Sequence, residues 1–244
     1  MNPFDKTEDP RRRVLIRALA AGLLAAGLPP GRAHSAEVFG SRPSKLPAGQ
    51  SIFRLSGTVT VNGAAANLQT RIGPNDTVET AKDGEIVFVV GESAFIQRAG
   101  SRVTLQGEQK GSIFISAARL LTGALLSVFP SRRPIRLATQ TATIGIRGTG
   151  AYMETDPQQT YFCTCYGASE VAAINDPESK DTVTATHHDK PLYILASAKP
   201  GQSIRRAPFI NHTDQELMLI ETLVGRTPPF VFPKDDYSGP RREY

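Results

Sequence analysis

The sequence lacks any apolar run long enough to cross a membrane. Its longest such run, residues 18–28, falls well short of the ~20 residues that a spanning helix needs. Residues 11–13, all arginine, precede this run, and the small residues Ala33 and Ser35 follow it. A basic start, a short apolar middle and small residues at a cleavage point are typical of a secretory signal. We therefore predict a signal peptide over residues 1–36, cleaved after Ser35 or the alanine that follows.

The arginines also indicate the export route. The run of arginines, a short spacer and Val14-Leu15 resemble the twin-arginine export motif, and the apolar run is rich in Ala and Gly, as such signals are. A general secretory signal with a basic start is the alternative. We expect delivery to the periplasm of a Gram-negative bacterium, with no integral membrane segment left in the mature chain.

The mature chain would also lack a strong charge of either sign. The predicted signal holds six of the 28 basic and three of the 23 acidic residues, which leaves a net charge of about +2. So small a charge argues against a nucleic-acid partner. No phosphate-binding glycine loop is present either, because Gly145, Gly148 and Gly150 follow a strand pattern and open no helix.

The first half of the mature chain is built of short, β-branched runs separated by turn residues. Turn pairs such as Asn62-Gly63 and Asp83-Gly84 tolerate positive φ and predict tight turns between strands. Residues 116–129 also fit a helical stripe, but Gly123 at their centre favours two short strands. The other predicted strands cover residues 51–55, 58–61, 77–80, 86–90, 95–97 and 102–105. The pattern predicts a mainly β protein.

The C-terminal part carries the signals of one helix. Thr213 and Glu216 have the spacing of a capping box, and apolar residues follow at helical spacing up to Gly225. We predict one helix of about three turns. Residues 231–244 are charged, contain Gly and Pro, and predict a loosely held tail.

Several segments of the first half resemble a FecR domain. The most specific is the last, a strand that ends in Arg147-Gly148-Thr149. The resemblance spans about residues 50–154. It is carried by Leu55-x-Gly57-x-Val59-x-Val61, by residues 72–80, by Asp83-Gly84 and by residues 142–150.

The resemblance implies a short-stranded β-solenoid or sandwich in the periplasm, without enzymatic activity. FecR domains of anti-sigma regulators relay a signal from an outer-membrane receptor across the inner membrane. Such a regulator needs a cytoplasmic arm and a spanning helix, whereas the apolar segment here is the predicted signal. We therefore expect an exported FecR-like binding, sensing or scaffold module over residues 48–155, joined to a β extension with its helix over residues 156–230. An envelope protein or a polysaccharide is the expected partner.

The Arg147-Gly148-Thr149 motif is expected to be structural. A guanidinium at this position can satisfy several turn carbonyls or one carboxylate, and Gly148 lets the backbone bend. A ligand-binding role for Arg147 is the alternative.

The extension contains the two cysteines of the chain, Cys163 and Cys165. Residues two apart in a strand point to the same face, so both thiols share one face. Thiolate and imidazole are ligands that zinc, copper and non-haem iron prefer, and two of each complete a tetrahedral site. The sequence thus leads to the hypothesis of a zinc, copper or iron ion held by both thiols and at least one histidine. Twin-arginine substrates fold before export, in a reducing compartment where a metal can be loaded.

Three histidines are candidates for the remaining ligands. His187 and His188 are adjacent, so they would face opposite sides of a regular strand and only one would join the site unless a bulge intervenes. His212 lies just before the predicted cap at Thr213, where a short helix would hold its imidazole rigidly.

Other interpretations of the cysteines stay open at this point. A disulfide across one intervening residue would be strained and redox-labile. The thiols would otherwise be small buried apolar groups beside Tyr161 and Phe162. A thiol- or metal-dependent redox enzyme, or a nucleophile pair of Cys165 with one of the adjacent histidines, is the enzymatic alternative. No flanking sequence matches a hydrolase or transpeptidase signature, so we expect a protein that is not an enzyme.

Overall fold

A computed structural model describes residues 44–230, and this part of the chain is mainly β. The predicted signal peptide and the predicted tail over residues 231–244 lie outside the described residues. The strands are β1 (Ile52–Ser56), β2 (Val59–Val61), β3 (Ala64–Ala65), β4 (Thr77–Thr80), β5 (Glu85–Val90), β6 (Ser93–Gln97), β7 (Arg102–Lys110), β8 (Ser112–Val128), β9 (Ile135–Ala138), β10 (Ala142–Thr155), β11 (Gln159–Ala173), β12 (Lys180–Ala185), β13 (Leu192–Leu195) and β14 (Ile204–Arg206), followed by helix α1 (Asp214–Leu223). The predicted mainly β fold with a C-terminal helix is confirmed.

The strands form two series of hydrogen-bonded neighbours, called the first and the second ladder below. Both ladders include the three long strands β8, β10 and β11. One ladder has the order β3-β2-β4-β7-β8-β9-β10-β11-β12. The other has the order β1-β5-β6-β8-β10-β11-β13-β14. Among the described strands, β8 and β9 pair in parallel and the other pairings are antiparallel. Because the shared strands run from one ladder into the other, the described strands form a single open, mixed sheet that folds into two layers.

An apolar core lies between the two layers. The first ladder contributes Val103 and Leu105, and the second contributes Phe88 and Phe95, all fully buried. The two phenyl rings stack with their centroids 4.9 Å apart. Each such side chain stabilises the fold by about 1.5–3 kcal/mol through burial, so this shared core holds the layers together.

Helix α1 covers the outer face of the second ladder. Ile96 of β6 and Leu126 of β8 form a second buried apolar cluster with Leu217 and Ile220 of α1. The two helix residues are three apart and so lie on the same face of the helix, towards the sheet. Within residues 44–230, no helix has the length and apolar character needed to cross a membrane.

The start of α1 confirms the predicted capping box. The Thr213 hydroxyl accepts from the Glu216 backbone N–H at 3.3 Å, and the Glu216 carboxylate accepts from the Thr213 N–H at 3.1 Å. Two backbone donors that the helix leaves unpaired are therefore satisfied.

The prediction of two short strands over residues 116–129 is wrong. Strand β8 runs without interruption through Gly123, whose φ of +81° bends the strand instead of ending it. The strand changes partners at this bend, pairing with β7 before it and with β6 and β10 after it. A Cβ on Gly123 would lie 2.1 Å from the Ser101 Oγ, so the bend depends on the missing side chain.

The predicted boundary between residues 48–155 and 156–230 falls in the turn between β10 and β11. These two strands pair from Thr155 opposite Thr160 to Ala142 opposite Ala173. Strands from both segments thus belong to one sheet, and the division into two domains stays a prediction.

Candidate metal centre

Strand β11 places both thiols on the outer face of the second ladder. Phe162 points into the core between the layers, whereas Cys163 and Cys165 belong to the cluster beneath α1. Both cysteines are free thiols and have no exposed surface. The alternation of a β-strand therefore brings the two sulfur atoms to one buried face, as expected.

His188 reaches this face from the loop between β12 and β13. Its backbone has a φ of +55°, and its N–H donates to the Cys165 carbonyl at 2.9 Å. The carboxylate of Asp189 accepts hydrogen bonds from the N–H groups of Thr186 and His187, and these bonds close the turn over residues 186–189. The positive φ directs His188 inward, whereas the His187 side chain stays 43% exposed.

His212 reaches the site from the segment that leads into α1. It is buried, and its ring stacks on that of Tyr152 with the centroids 4.4 Å apart and an interplanar angle of 21°. Its Nδ1 lies 2.7 Å from the Ile210 carbonyl oxygen. The stack and the hydrogen bond together fix the orientation of the imidazole.

Four potential ligand atoms converge at this point. The Cys163 Sγ lies 3.4 Å from the His188 Nδ1, which in turn lies 3.1 Å from the His212 Nε2. Together with the Cys165 Sγ, all four atoms lie within 4.8 Å of one another, and all four residues are buried. Pairs of ligands around one tetrahedral zinc ion would be separated by about 3.3–3.8 Å, given zinc–nitrogen and zinc–sulfur bonds of ~2.0 and ~2.3 Å.

In each imidazole, one nitrogen makes a hydrogen bond directed away from the cluster. This bond determines whether the other nitrogen, which faces the cluster, carries a lone pair. The His212 Nδ1 must carry a proton to donate to the Ile210 carbonyl, so a neutral ring presents an unprotonated Nε2. The His188 Nε2 lies 3.1 Å from the Asp214 Oδ1, so a neutral ring presents an unprotonated Nδ1. Two lone pairs then face each other across 3.1 Å, an arrangement that requires a cation or a proton between the rings.

The thiols differ in their acid–base properties. Burial alone raises the pKa of Cys163, but hydrogen bonds with Cys165, His188 and His212 outweigh burial and hold this pKa well below its ordinary value. Burial and the neighbouring Cys163 raise the pKa of Cys165 well above its ordinary value. Burial lowers the pKa of His188, but Cys163 and Asp214 raise it by more. A bound metal ion would stabilise the deprotonated form of both cysteines.

Asp214 is a functional residue that the sequence analysis missed. Its Oδ1 accepts from the His188 Nε2 at 3.1 Å and from the His187 Nε2 at 2.9 Å. His187, His188 and Asp214 form a second group whose ligand atoms lie within 4.8 Å of one another. A carboxylate behind a metal-binding imidazole fixes its tautomer and orientation. The one sequence signal was the place of Asp214 beside the predicted cap.

The predicted ligands therefore fall into two sets. Cys163, Cys165, His188 and His212 converge, whereas His187 lies outside that cluster and reaches it through Asp214. His187 contacts the ring of Phe230 instead, with the centroids 4.6 Å apart.

The Arg147-Gly148-Thr149 motif contributes no ligand to this site, and its arginine differs from expectation. Arg147 follows the buried Ile146 in β10, so its side chain points outward. This side chain is exposed and donates no hydrogen bond within residues 44–230. The contacts to turn carbonyls that were expected of Arg147 are made by the buried Thr149. Its hydroxyl lies 3.0 and 3.1 Å from the carbonyl oxygens of Arg147 and Ala168. Gly148 has a φ of +60°, the bend that the sequence predicts.

Comparisons with known proteins give a partial similarity to solved structures. No protein-family model matches the chain, and no curated protein matches it. Two crystal structures, at 2.50 and 1.65 Å, of a candidate anti-sigma factor from Parabacteroides distasonis ATCC 8503 are similar to it, with 11% and 12% identity and TM-scores of 0.41 and 0.40. Each match covers 54% of this chain and 58% of the other, so the chain spans under two thirds of that protein's length.

Proposed function

We propose that this chain is an exported FecR-like binding or sensing module that holds one transition-metal ion through Cys163, Cys165, His188 and His212. The single observation that carries the metal site is the convergence of these four side chains, all buried, within 4.8 Å of one another. Two sulfur and two nitrogen ligands in tetrahedral arrangement favour zinc, with copper(I) and iron as the other ions of suitable chemistry.

The donor set itself supports an ion over a proton. A proton between His188 and His212 would bridge one pair of nitrogens, whereas an ion would bind the two sulfur atoms as well. A divalent ion at the centre accepts lone pairs from all four atoms and stabilises the buried Cys163 thiolate. Burying a thiolate without a compensating cation is costly, so the ion removes the main electrostatic cost of this cluster.

The same geometry favours a binding role over catalysis. Structural metal sites have four protein ligands, whereas catalytic sites keep one position open for water or substrate. Here the four ligands come from the protein, and neither sulfur has exposed surface.

One arrangement does favour the enzymatic alternative. The His188 Nδ1 lies 3.4 Å from the Cys163 Sγ, and the His188 Nε2 lies 3.1 Å from the Asp214 Oδ1. This is the order of a nucleophile, its base and an orienting carboxylate. A nucleophile must reach its substrate, however, and Cys163 is fully enclosed. The sulfur next to His188 is also Cys163 and not Cys165, which the sequence analysis paired with a histidine.

Elemental analysis of the protein, purified from the periplasm without chelator, tests the metal proposal. We expect about one equivalent of zinc, copper or iron per chain, in line with one four-ligand site. Cys165→Ser should lose most of this metal. His187→Ala is the matched control and should keep it, because His187 lies outside the cluster. Metal-free parent protein, or equal metal content in parent and Cys165→Ser, would contradict the proposal.

Export has its own test. We expect that changing Arg11, Arg12 and Arg13 together to lysine retains the precursor in the cytoplasm, because the twin-arginine translocase tolerates paired lysines poorly. A general secretory signal would tolerate the change, since it needs only a basic start. Cell fractionation measures the result, and unchanged delivery of processed protein to the periplasm would refute this route.

A further inference from the structure

The start of helix α1 is connected to the proposed metal centre on both sides of its cap. His212, one of the four ligands, precedes the N-cap Thr213, and Asp214, the first helical residue, follows it. Three consecutive residues therefore supply a ligand, the helix cap and a hydrogen bond to a second ligand. An ion at the centre would hold this segment against β11.

Asp214 determines how His188 presents itself to the cluster. Its Oδ1 holds the His188 Nε2 at 3.1 Å, which leaves the His188 Nδ1 directed at the Cys163 Sγ. Carboxylates in this position typically change metal affinity about 10–100-fold when they are replaced. Because Asp214 belongs to α1, any displacement of the helix start also displaces the support of His188.

We propose that the metal ion fastens the N-terminal half of α1 to the sheet and that Asp214 is the positioning residue that couples the two. The inference rests on the metal site proposed above and adds what binding of the ion would regulate, which is the docking of the start of α1. Loss of the ion removes the link between His212 and the cysteines of β11. The Tyr152 stack and the hydrogen bond to Ile210 still orient the imidazole, but the first turn of α1 opens more often without that link. Binding of the ion restores it.

The consequence is a metal-controlled apolar surface. Leu217 lies in the N-terminal half of α1 and is fully buried in the cluster that contains Ile96 and Leu126. If the first turn of the helix opens, this part of the second ladder becomes accessible. A change in metal occupancy is thereby converted into a change in exposed apolar area, which is what a sensing module needs for signalling to a partner.

The C-terminal half of α1 has attachments of its own. Glu221 accepts a hydrogen bond from the Tyr166 hydroxyl and pairs with the Arg226 Nε at 2.6 Å. The Leu223 carbonyl accepts from the Leu46 N–H at 2.9 Å. None of these contacts involves the metal ligands, so this half should stay docked in both metal states.

One contact in the N-terminal half is also independent of the metal. Arg98, at the end of β6, pairs with Glu216 at 2.6 Å, and both side chains are partly buried. This ion pair favours docking in both states and limits the opening to a minor population. Amide hydrogen exchange detects such minor openings, which makes it the suitable measurement.

Hydrogen exchange of the purified protein, with one equivalent of zinc and after removal of zinc by a chelator, tests the coupling. We expect amides in residues 213–219 to exchange at least about tenfold faster without zinc, whereas those in residues 221–226 change little. Zinc content is measured on the same samples. Zinc binding without any change in residues 213–219 would overturn the coupling alone. Failure of the parent to bind zinc would overturn both the coupling and the metal site.

Variants of Asp214 separate positioning from general helix stability. Asp214→Ala should weaken zinc affinity about 10–100-fold in a competition titration. Asp214→Asn should retain more affinity, because its amide oxygen still accepts from His188. Asp181→Ala is the control, since Asp181 on β12 pairs with Lys190 of the following loop and is not one of the four clustered residues. Equal zinc affinities of the parent and Asp214→Ala would refute the role of Asp214.

Discussion

Zinc is expected to raise the midpoint of thermal unfolding of the parent protein and to leave that of Cys163→Ser almost unchanged. A ligand at 1,000 times its dissociation constant stabilises the folded state by about 4 kcal/mol. For a chain of this size, that corresponds to an increase of roughly 8–16 °C. In the variant, the soft sulfur ligand nearest to His188 is gone, so the response should largely disappear. Thermal melts with and without zinc measure both values.

A matched control separates ligand loss from general damage near the site. His187→Ala removes a neighbouring imidazole that contacts Asp214 but does not belong to the four-residue cluster. It should respond to zinc as the parent does. If Cys163→Ser is stabilised by zinc as strongly as the parent, Cys163 is not a ligand.

Gly148→Val is expected to destabilise the protein by about 3–5 kcal/mol. Two effects add: a β-branched residue at a φ of +60° is strained, and its Cβ would lie 2.6 Å from the Ser131 Cβ and 2.8 Å from the Ser131 Cα. Because one of these atoms is backbone, the clash cannot be relieved by rotating a side chain. The expected loss is a large part of the stability of a typical domain. Urea denaturation of parent and variant measures it.

Gly145→Ala is the matched control in the same strand. Gly145 has no positive φ, and an added Cβ would meet no atom within 4 Å. Its stability should stay within about 1 kcal/mol of the parent. Coinciding denaturation curves of Gly148→Val and the parent would show that the left-handed bend has no structural role.

The sequence predicted well those features that depend on neighbouring residues. Strand alternation placed Cys163 and Cys165 on one face, and the Thr213–Glu216 spacing predicted the helix start. Both follow from backbone periodicity or from hydrogen bonds over three residues. The Gly123 prediction was wrong because a glycine at positive φ can bend a strand whose pairing partners change there, and those partners are remote in sequence.

The sequence alone could not show which of the histidines join the site. His188 turns inward because of a φ of +55° in a loop, and no periodic pattern predicts that dihedral. His212 meets the cysteines because α1 packs on β6 and β8, an arrangement made by long-range apolar contacts. Asp214 was missed for the same reason, since its role exists only once the helix start lies beside His188.

The exposure of Arg147 also differs from the prediction made from the sequence. The Arg147 guanidinium was expected to satisfy the turn carbonyls of its motif, whereas the Thr149 hydroxyl makes contacts of this kind. Successive residues of a strand point to opposite faces, so the inward-facing, apolar Ile146 places Arg147 on the outer face.

X-ray absorption at the zinc edge of the zinc-loaded protein tests the central claim most directly. The four-residue cluster predicts one ion with two sulfur ligands at about 2.3 Å and two nitrogen ligands at about 2.0–2.1 Å. A first shell of oxygen and nitrogen alone, without sulfur, would contradict the assignment of Cys163, Cys165, His188 and His212 as the ligands.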